Sequence, residues 1–163
     1  MTLEFIRQMK IVLLVCVFSR QYSTYVHTVK MAGVFQNSQQ GQHLSAANVK
    51  FAFDLYKLHT SPADQNIFMS PISISVALAM TYLGARAQTK SQMRQVLHFT
   101  DVDEEHLHQA FTDIQSALNK PLQSYKVYMA NRLFAEKSYT FLDEFLTAGR
   151  KHYEAELAPV DFR

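Results

Sequence analysis

Residues 66–85 read NIFMSPISISVALAMTYLGA and decide the fold. The first five of these residues are short, apolar and bounded by turn-forming residues, which predicts a buried strand. Ser70 then stands where a helix N-cap is expected, and Pro71 at the first helical position, where its missing N–H leaves no bond unmade. Large apolar side chains follow on every face of residues 72–83, as in helices from the middle of a protein. Gly84 is the expected stop.

The segments around this stretch predict an α+β fold. Apolar residues at three- and four-residue spacing predict helices, and runs rich in Tyr, Val and Leu predict strands. The predicted helices cover residues 45–59, 89–97, 103–118 and 143–153, and the predicted strands cover residues 126–134 and 156–162. Ser45 is the expected N-cap of the first helix, and Thr89 with Gln92 forms a capping-box pattern. Pro159 places the last strand at a sheet edge or a bulge.

The faces of these helices follow from the same spacing. The first helix carries one apolar face opposite its charged side chains, made of Ala46, Val49, Phe53 and Tyr56. The third has an apolar stripe of Leu107, Phe111, Ile114 and Leu118. In the last helix we expect three side chains to face inward: Leu142, Phe145 and Leu146.

Composition excludes several classes of protein. The 163 residues are 48% apolar, which is enough for one domain with a core and too much for a disordered tail. The net charge of +2 comes without a basic stripe, so no nucleic-acid partner is expected. The single Cys16 excludes a disulfide framework. His106 and His108 lie two apart on a helix, so we expect surface histidines and no metal site. The sequence contains no phosphate-loop motif and no paired-carboxylate motif, so we expect neither an enzyme nor a bound cofactor.

The N-terminus allows two interpretations. Arg7 and Lys10 precede the apolar run 11–18, as in a secretory signal, although small residues are missing at the cleavage site. The run is too short to span a membrane. Translation starting instead at Met31 would give a leaderless, cytoplasmic protein, and the pattern slightly favours the extracellular, secreted one. We therefore assign 1–43 to a divergent N-terminal segment that ends in a linker, and 44–163 to the domain.

At four places the chain resembles the serpin family. Residues 66–85 resemble the segment from a strand of sheet B into central helix B, and Thr89, Gln92 and Met93 resemble the start of helix C. Residues 130–134, ANRLF, resemble the second strand of sheet A, and 153–162 the strand after helix E. The match runs from Ala46 to Arg163 in family order. The opening helix is similar to that of leukocyte-elastase-inhibitor-like serpins.

The resemblance implies the N-terminal part of a serpin fold and the activity of a serine-type endopeptidase inhibitor. The expected parts are helices A–E, one sheet-B strand and two sheet-A strands, ending before helix F. Serpins trap a serine protease as suicide substrates, by inserting a cleaved reactive loop into sheet A. That loop lies near the serpin C-terminus and is absent from these residues, so we expect the chain to be inactive alone. The alternatives are a non-inhibitory serpin, acting as a carrier, chaperone or storage protein, or a vestigial fragment.

The resemblance also implies roles for three polar residues. Ser70 and Ser73 match the family's shutter serines, which help to close a hydrogen-bond network beneath sheet A, while simple helix capping by Ser70 is the alternative. Asn131 lies in a predicted strand, where asparagine is disfavoured. It marks either a turn or bulge, or a buried polar side chain. Heparin-binding serpins carry basic residues on helix D, and residues 103–118 contain no Lys or Arg, so no heparin site is expected there.

Overall fold

The structure is a computed structural model and describes residues 9–18, 38–59, 67–120 and 126–162. In chain order its elements are β1 (Met9–Phe18), α1 (Gln39–His59), α2 (Pro71–Gly84), α3 (Ala87–Val96), a 3-10 turn (Phe99–Asp101), α4 (Leu107–Asn119), β2 (Lys126–Glu136), α5 (Asp143–Tyr153) and β3 (Leu157–Val160). The α+β class predicted from the sequence is confirmed.

The three strands form one sheet in the order β1-β2-β3. Strand β1 runs antiparallel to β2 along ten residue pairs, from Met9 opposite Ala135 to Phe18 opposite Lys126. Strand β3 runs parallel to β2, with Leu133 opposite Leu157. Within the described sheet β3 is an edge strand, which confirms the edge position predicted from Pro159.

Helix α2 lies at the centre of the core, in contact with α1, α3 and α5. Its buried members include Val76, Met80 and Tyr82. The predicted stripe of α4 is confirmed, since Leu107, Phe111 and Ile114 are buried and Leu118 packs against them. In the described part of the chain no helix is long and apolar enough to cross a membrane.

Three helix starts differ from the sequence prediction. Helix α1 begins at Gln39 because Ser38, and not Ser45, caps it, with the Gly41 N–H donating to Ser38 Oγ at 3.0 Å. The helix therefore includes residues 39–43, which the sequence assigned to a linker. Helix α3 begins at Ala87, before the predicted capping box.

Helix α4 begins at Leu107, four residues later than predicted. The Asp103 carboxylate accepts a hydrogen bond from the Glu105 N–H at 3.0 Å, which favours a turn over a helical start. By contrast, α2 begins at Pro71 and α5 spans 143–153, as their local sequences predicted.

Two predictions of burial are wrong. Residues 67–70 form no strand, and Phe68 is fully exposed, since no described strand pairs with this segment; residue 66 lies outside the described residues. Leu142 is exposed while Phe145 is buried, because Leu142 stands just before α5 and not within it. The apolar face predicted for α1 is exposed, and the helix instead faces the core with Leu44, Ala47 and Phe51.

Candidate functional site

The predicted serine pair lies at the first turn of α2. Ser70 has an extended backbone, with φ −118° and ψ 91°, and Pro71 takes the first helical position. The hydroxyls of Ser70 and Ser73 share a hydrogen bond at 2.7 Å. Ser70 makes no side-chain cap bond to a helix N–H, so simple capping by its hydroxyl is not what the structure has. The structure thus brings the two predicted serines together.

The chemistry of this pair is that of a structural hydrogen bond. Ser73 is buried, and in the described residues each of the two hydroxyls has the other as its partner. Two residues further along, the buried hydroxyl of Ser75 has no partner among the described residues. A buried hydroxyl without a partner is unfavourable. The start of α2 is therefore a polar site whose hydrogen bonds are incomplete within this part of the chain.

Asn131 lies in the regular part of β2, opposite Leu13, and not in a turn or bulge. It is half-buried, and its amide nitrogen donates to the Gln115 side-chain oxygen on α4 at 3.0 Å. Its own side-chain oxygen is buried without a partner in the described residues. The Asn131 side chain therefore fastens β2 to α4.

A second polar contact joins α4 to α5. His108 Nδ1 and the Tyr153 hydroxyl share a hydrogen bond at 2.6 Å. Burial, with a smaller contribution from charge on nearby His152, lowers the pKa of His108 from 6.5 to about 4. Burial also raises the pKa of Tyr153 well above its ordinary value. Both groups are therefore neutral at pH 7, and the prediction of a surface histidine at position 108 is wrong.

Next to this pair, α4 fastens the end of α5 through two more side chains. Thr112 Oγ1 donates to the His152 carbonyl at 3.1 Å, and the Gln115 amide donates to the same carbonyl at 3.3 Å. Burial lowers the pKa of His152. These contacts satisfy a carbonyl in the last turn of α5, where helices leave such groups without intrahelical partners.

Sequence reasoning missed this cluster, although a signal existed. His108, Thr112 and Gln115 recur at spacings of four and three, which places them on one side of α4 beside the apolar stripe. A polar row of that kind next to an apolar one predicts a buried polar contact. Its partners on α5 and β2 were not predictable from spacing alone.

A third polar group surrounds Glu104. Its carboxylate accepts from the Tyr82 hydroxyl at 2.7 Å, pairs with Lys90 Nζ at 2.6 Å and contacts Arg94. Arg94 also donates to the Val102 carbonyl at 2.7 Å. Burial opposes ionisation of Glu104, but hydrogen bonds from Lys90 and Tyr82 outweigh it and hold its pKa below the ordinary value. The group ties α2 and α3 to the turn before α4.

Across the described ranges, no cluster of three or more His, Cys, Asp or Glu side chains could hold a metal ion. The polar groups found there connect elements of the fold to one another. None of the hydrogen bonds of Ser70 or Ser73 in the described part joins a hydroxyl to a histidine or a carboxylate, which is how a nucleophilic serine is activated.

Two curated relatives are similar to this chain in sequence. The leukocyte elastase inhibitor of Bos taurus is 50% identical over 123 residues, which cover 74% of this chain and 32% of the relative. The leukocyte elastase inhibitor of Homo sapiens is 45% identical over 124 residues, with 75% and 32% covered. The chain therefore spans about a third of the length of the curated relatives it matches.

Solved structures agree with these relatives. Emu ovalbumin (Dromaius novaehollandiae) matches with a TM-score of 0.66 and 34% identity, over 73% of this chain and 34% of that one. Cleaved kallistatin, solved in complex with heparin, matches with a TM-score of 0.66 and 36% identity, over 71% and 35%. The family model described as serpin, serine protease inhibitor, matches residues 46–163. This chain therefore belongs to the serpin family of serine protease inhibitors.

Proposed function

We propose that the chain is the first third of a serpin that traps a serine protease by inserting its cleaved reactive loop. The observation that carries this proposal is the 50% identity to a leukocyte elastase inhibitor over 123 residues, together with the match of the serpin family model to residues 46–163. The match covers 32% of that relative, and the reactive loop belongs to the part beyond it. The partner of the complete protein is a serine protease of the elastase type, and the chain alone does not inhibit.

The experiment is to sequence the native transcript downstream of the Arg163 codon and to express its complete product. After incubation with leukocyte elastase, we expect a covalent complex that survives denaturing electrophoresis, and none with residues 1–163 alone. A complete product that folds but leaves the protease free would favour a carrier, chaperone or storage serpin. A stop codon directly after Arg163 would make the chain a vestigial fragment.

Ser70 and Ser73 serve as shutter serines in the complete protein. Their shared hydrogen bond supports this role, because it forms a small polar network at the start of the central helix. Such a network is sensitive to the loss of one member. Asn131, with one unpartnered buried oxygen, has the same kind of role between β2 and α4.

We expect Ser73→Ala to destabilise the chain by about 1 kcal/mol, because it removes the partly buried Ser70–Ser73 hydrogen bond. In the complete protein it should also change the rate at which the covalent protease complex forms. Ser91→Ala, on the exposed side of α3, is the matched control and should do neither. Denaturant unfolding measures the change in stability, and the amount of covalent protease complex at successive times measures the rate. Equal behaviour of both variants would remove the shutter role.

The apolar run near the N-terminus stays in the folded protein as β1. Its ten-residue pairing with β2 supports this, because removing it would free the backbone groups along that side of β2. The relatives give no support to the secreted interpretation of this run. We expect intact-mass measurement of the native protein to show Met9–Phe18 present, and hydrogen exchange to show protected amides in both strands. A mature chain beginning after Phe18 would contradict this.

A further inference from the structure

Strand β1 comes from outside the part of the chain that matches the family. It spans Met9–Phe18, whereas the serpin family model matches residues 46–163. It nevertheless pairs with β2 along ten residue pairs, while β3, which lies within the match, pairs with β2 along four. Strand β1 also contacts α2, the helix at the centre of the core. A segment from outside the family match is therefore built into the sheet of the domain.

The side of β2 that faces β3 is closed to further strands. The Leu133 N–H donates to the Glu156 carbonyl at 3.4 Å. Because the backbone groups of successive residues point to opposite edges of a strand, Pro159 lies on the outer edge of β3, where it offers no N–H to another strand. Before the start of the β3 pairing, the Met129 N–H points to the same side and donates to the Asn119 side chain at 3.1 Å.

The other side of β2 can accept a strand, and β1 occupies it. Since the Leu133 N–H points to β3, the same alternation turns the backbone groups of Ala130 and Arg132 toward β1. Their partners in register are Leu14 and Val12. Without β1 these groups would form an unpaired edge, and such an edge pairs readily with another extended chain.

We infer that β1 is a built-in blocking strand, which fills the accepting edge of β2 and keeps other extended segments away from it. The segment that it excludes has the chemistry of β1 itself, because the same backbone groups and register would hold it. Apart from Lys10, all ten residues of β1 are apolar. The excluded partner is therefore an extended, apolar segment that runs antiparallel to β2. The inference concerns this edge alone, and it holds whether or not the complete protein inhibits a protease.

Proline substitutions on the two edges of β1 test this inference. Val12→Pro with Leu14→Pro removes two N–H groups that face β2, whereas Leu13→Pro with Val15→Pro removes two that face away from it. The first pair should release β1, and the second is the matched control, because proline is tolerated on the free edge of a strand. The probe is a fluorescent peptide of residues 9–18 with added lysines for solubility. Fluorescence anisotropy measures its binding to each form of the chain.

We expect the chain with Val12→Pro and Leu14→Pro to bind the peptide at least about tenfold more tightly than the unchanged chain, because an occupied edge lowers the apparent affinity by the fraction that is free. The chain with Leu13→Pro and Val15→Pro should bind as weakly as the unchanged one. A peptide that itself carries proline at positions 12 and 14 should bind none of them. Equal binding of the unaltered peptide by the two proline variants would overturn the inference.

Circular dichroism and gel filtration of the released variant complete the test. Its helical signal should persist, or return when the peptide is added, and any association of the variant with itself should be reversed by excess peptide. Loss of the helices that the peptide does not restore would show that β1 is an indispensable part of the core and no removable strand. That result, or association that excess peptide leaves in place, would also overturn the inference.

Discussion

Replacing Phe111 by alanine is expected to destabilise the folded chain by about 3–5 kcal/mol, the usual range for a buried phenylalanine. Phe111 is fully buried on α4, and its ring centroid lies 5.8 Å from that of Phe99 and 6.0 Å from that of Tyr153. The edge contact with Phe99 adds about 0.5–1.5 kcal/mol to what the buried area gives. Alanine leaves a cavity between the 3-10 turn, α4 and α5 that these neighbours cannot fill without moving.

Denaturant unfolding followed by circular dichroism measures this loss as a shift of the midpoint at constant slope. Val96→Ala is the matched control, because Val96 is exposed at the end of α3 and should change the free energy of unfolding by less than about 0.5 kcal/mol. A Phe111→Ala variant within 1 kcal/mol of the unchanged chain would show that the aromatic contacts around α4 do not form in solution.

The sequence predicted best the helices whose own residues mark where they begin and end. Pro71 and Gly84 bound α2 in both the sequence and the structure, and α5 has acidic residues in its first turn and basic ones in its last. The apolar stripe of α4 was readable for the same reason, since its burial follows directly from helical spacing. Elements of this kind need little information from the rest of the molecule.

The wrong sequence predictions concern features that are set by contacts with residues distant in the chain. Helix α1 has apolar side chains on two sides, and helical spacing alone does not tell which side meets the core. The packing of α2 and α4 against Leu44 and Phe51 makes that choice. The start of α4 moved to Leu107 because Glu104, near the start of the predicted helix 103–118, instead binds Tyr82 and Lys90 from two other helices.

The candidate site divides in the same way. Ser70 and Ser73 lie three residues apart at a helix start, so their contact was predictable from the sequence. Asn131 was recognisable as unusual in a strand, but its partner Gln115 is 16 residues away. The His108–Tyr153 contact spans 45 residues, and nothing local to His108 distinguishes it from a surface histidine. That contact gives the second large expected effect.

Acid is expected to destabilise the chain through His108. In the unfolded chain this histidine has its ordinary pKa of 6.5, and in the folded chain burial lowers the pKa to about 4. The folded state therefore binds the proton less readily than the unfolded state. The stabilising contribution of His108 is complete above pH 6.5 and is lost progressively as the pH falls from there to about 4. A difference of this size corresponds to about 3 kcal/mol.

The charged neighbours of His108 shift its pKa in both directions. His152 lies with its ring centroid 6.0 Å away, and its positive charge at low pH opposes protonation of His108, while the Glu104 carboxylate favours it. Lys90 adds a smaller opposing charge. Burial is the largest cause, so removal of any one charged neighbour should leave most of the acid sensitivity in place.

The variant His108→Gln removes the titrating group and keeps a polar side chain beside the Tyr153 hydroxyl. We expect it to flatten the dependence of the unfolding free energy on pH between 6.5 and 4, measured by denaturant unfolding at each pH. Ser91→Ala, which changes a non-titrating side chain on the exposed side of α3, is the control and should keep the unchanged chain's slope. If His108→Gln kept that slope as well, the partly buried His108–Tyr153 contact would not be the acid-sensitive joint between α4 and α5. Since that joint holds the last turn of α5 from which the chain enters β3, its loss should also expose the β2–β3 amides to hydrogen exchange at low pH.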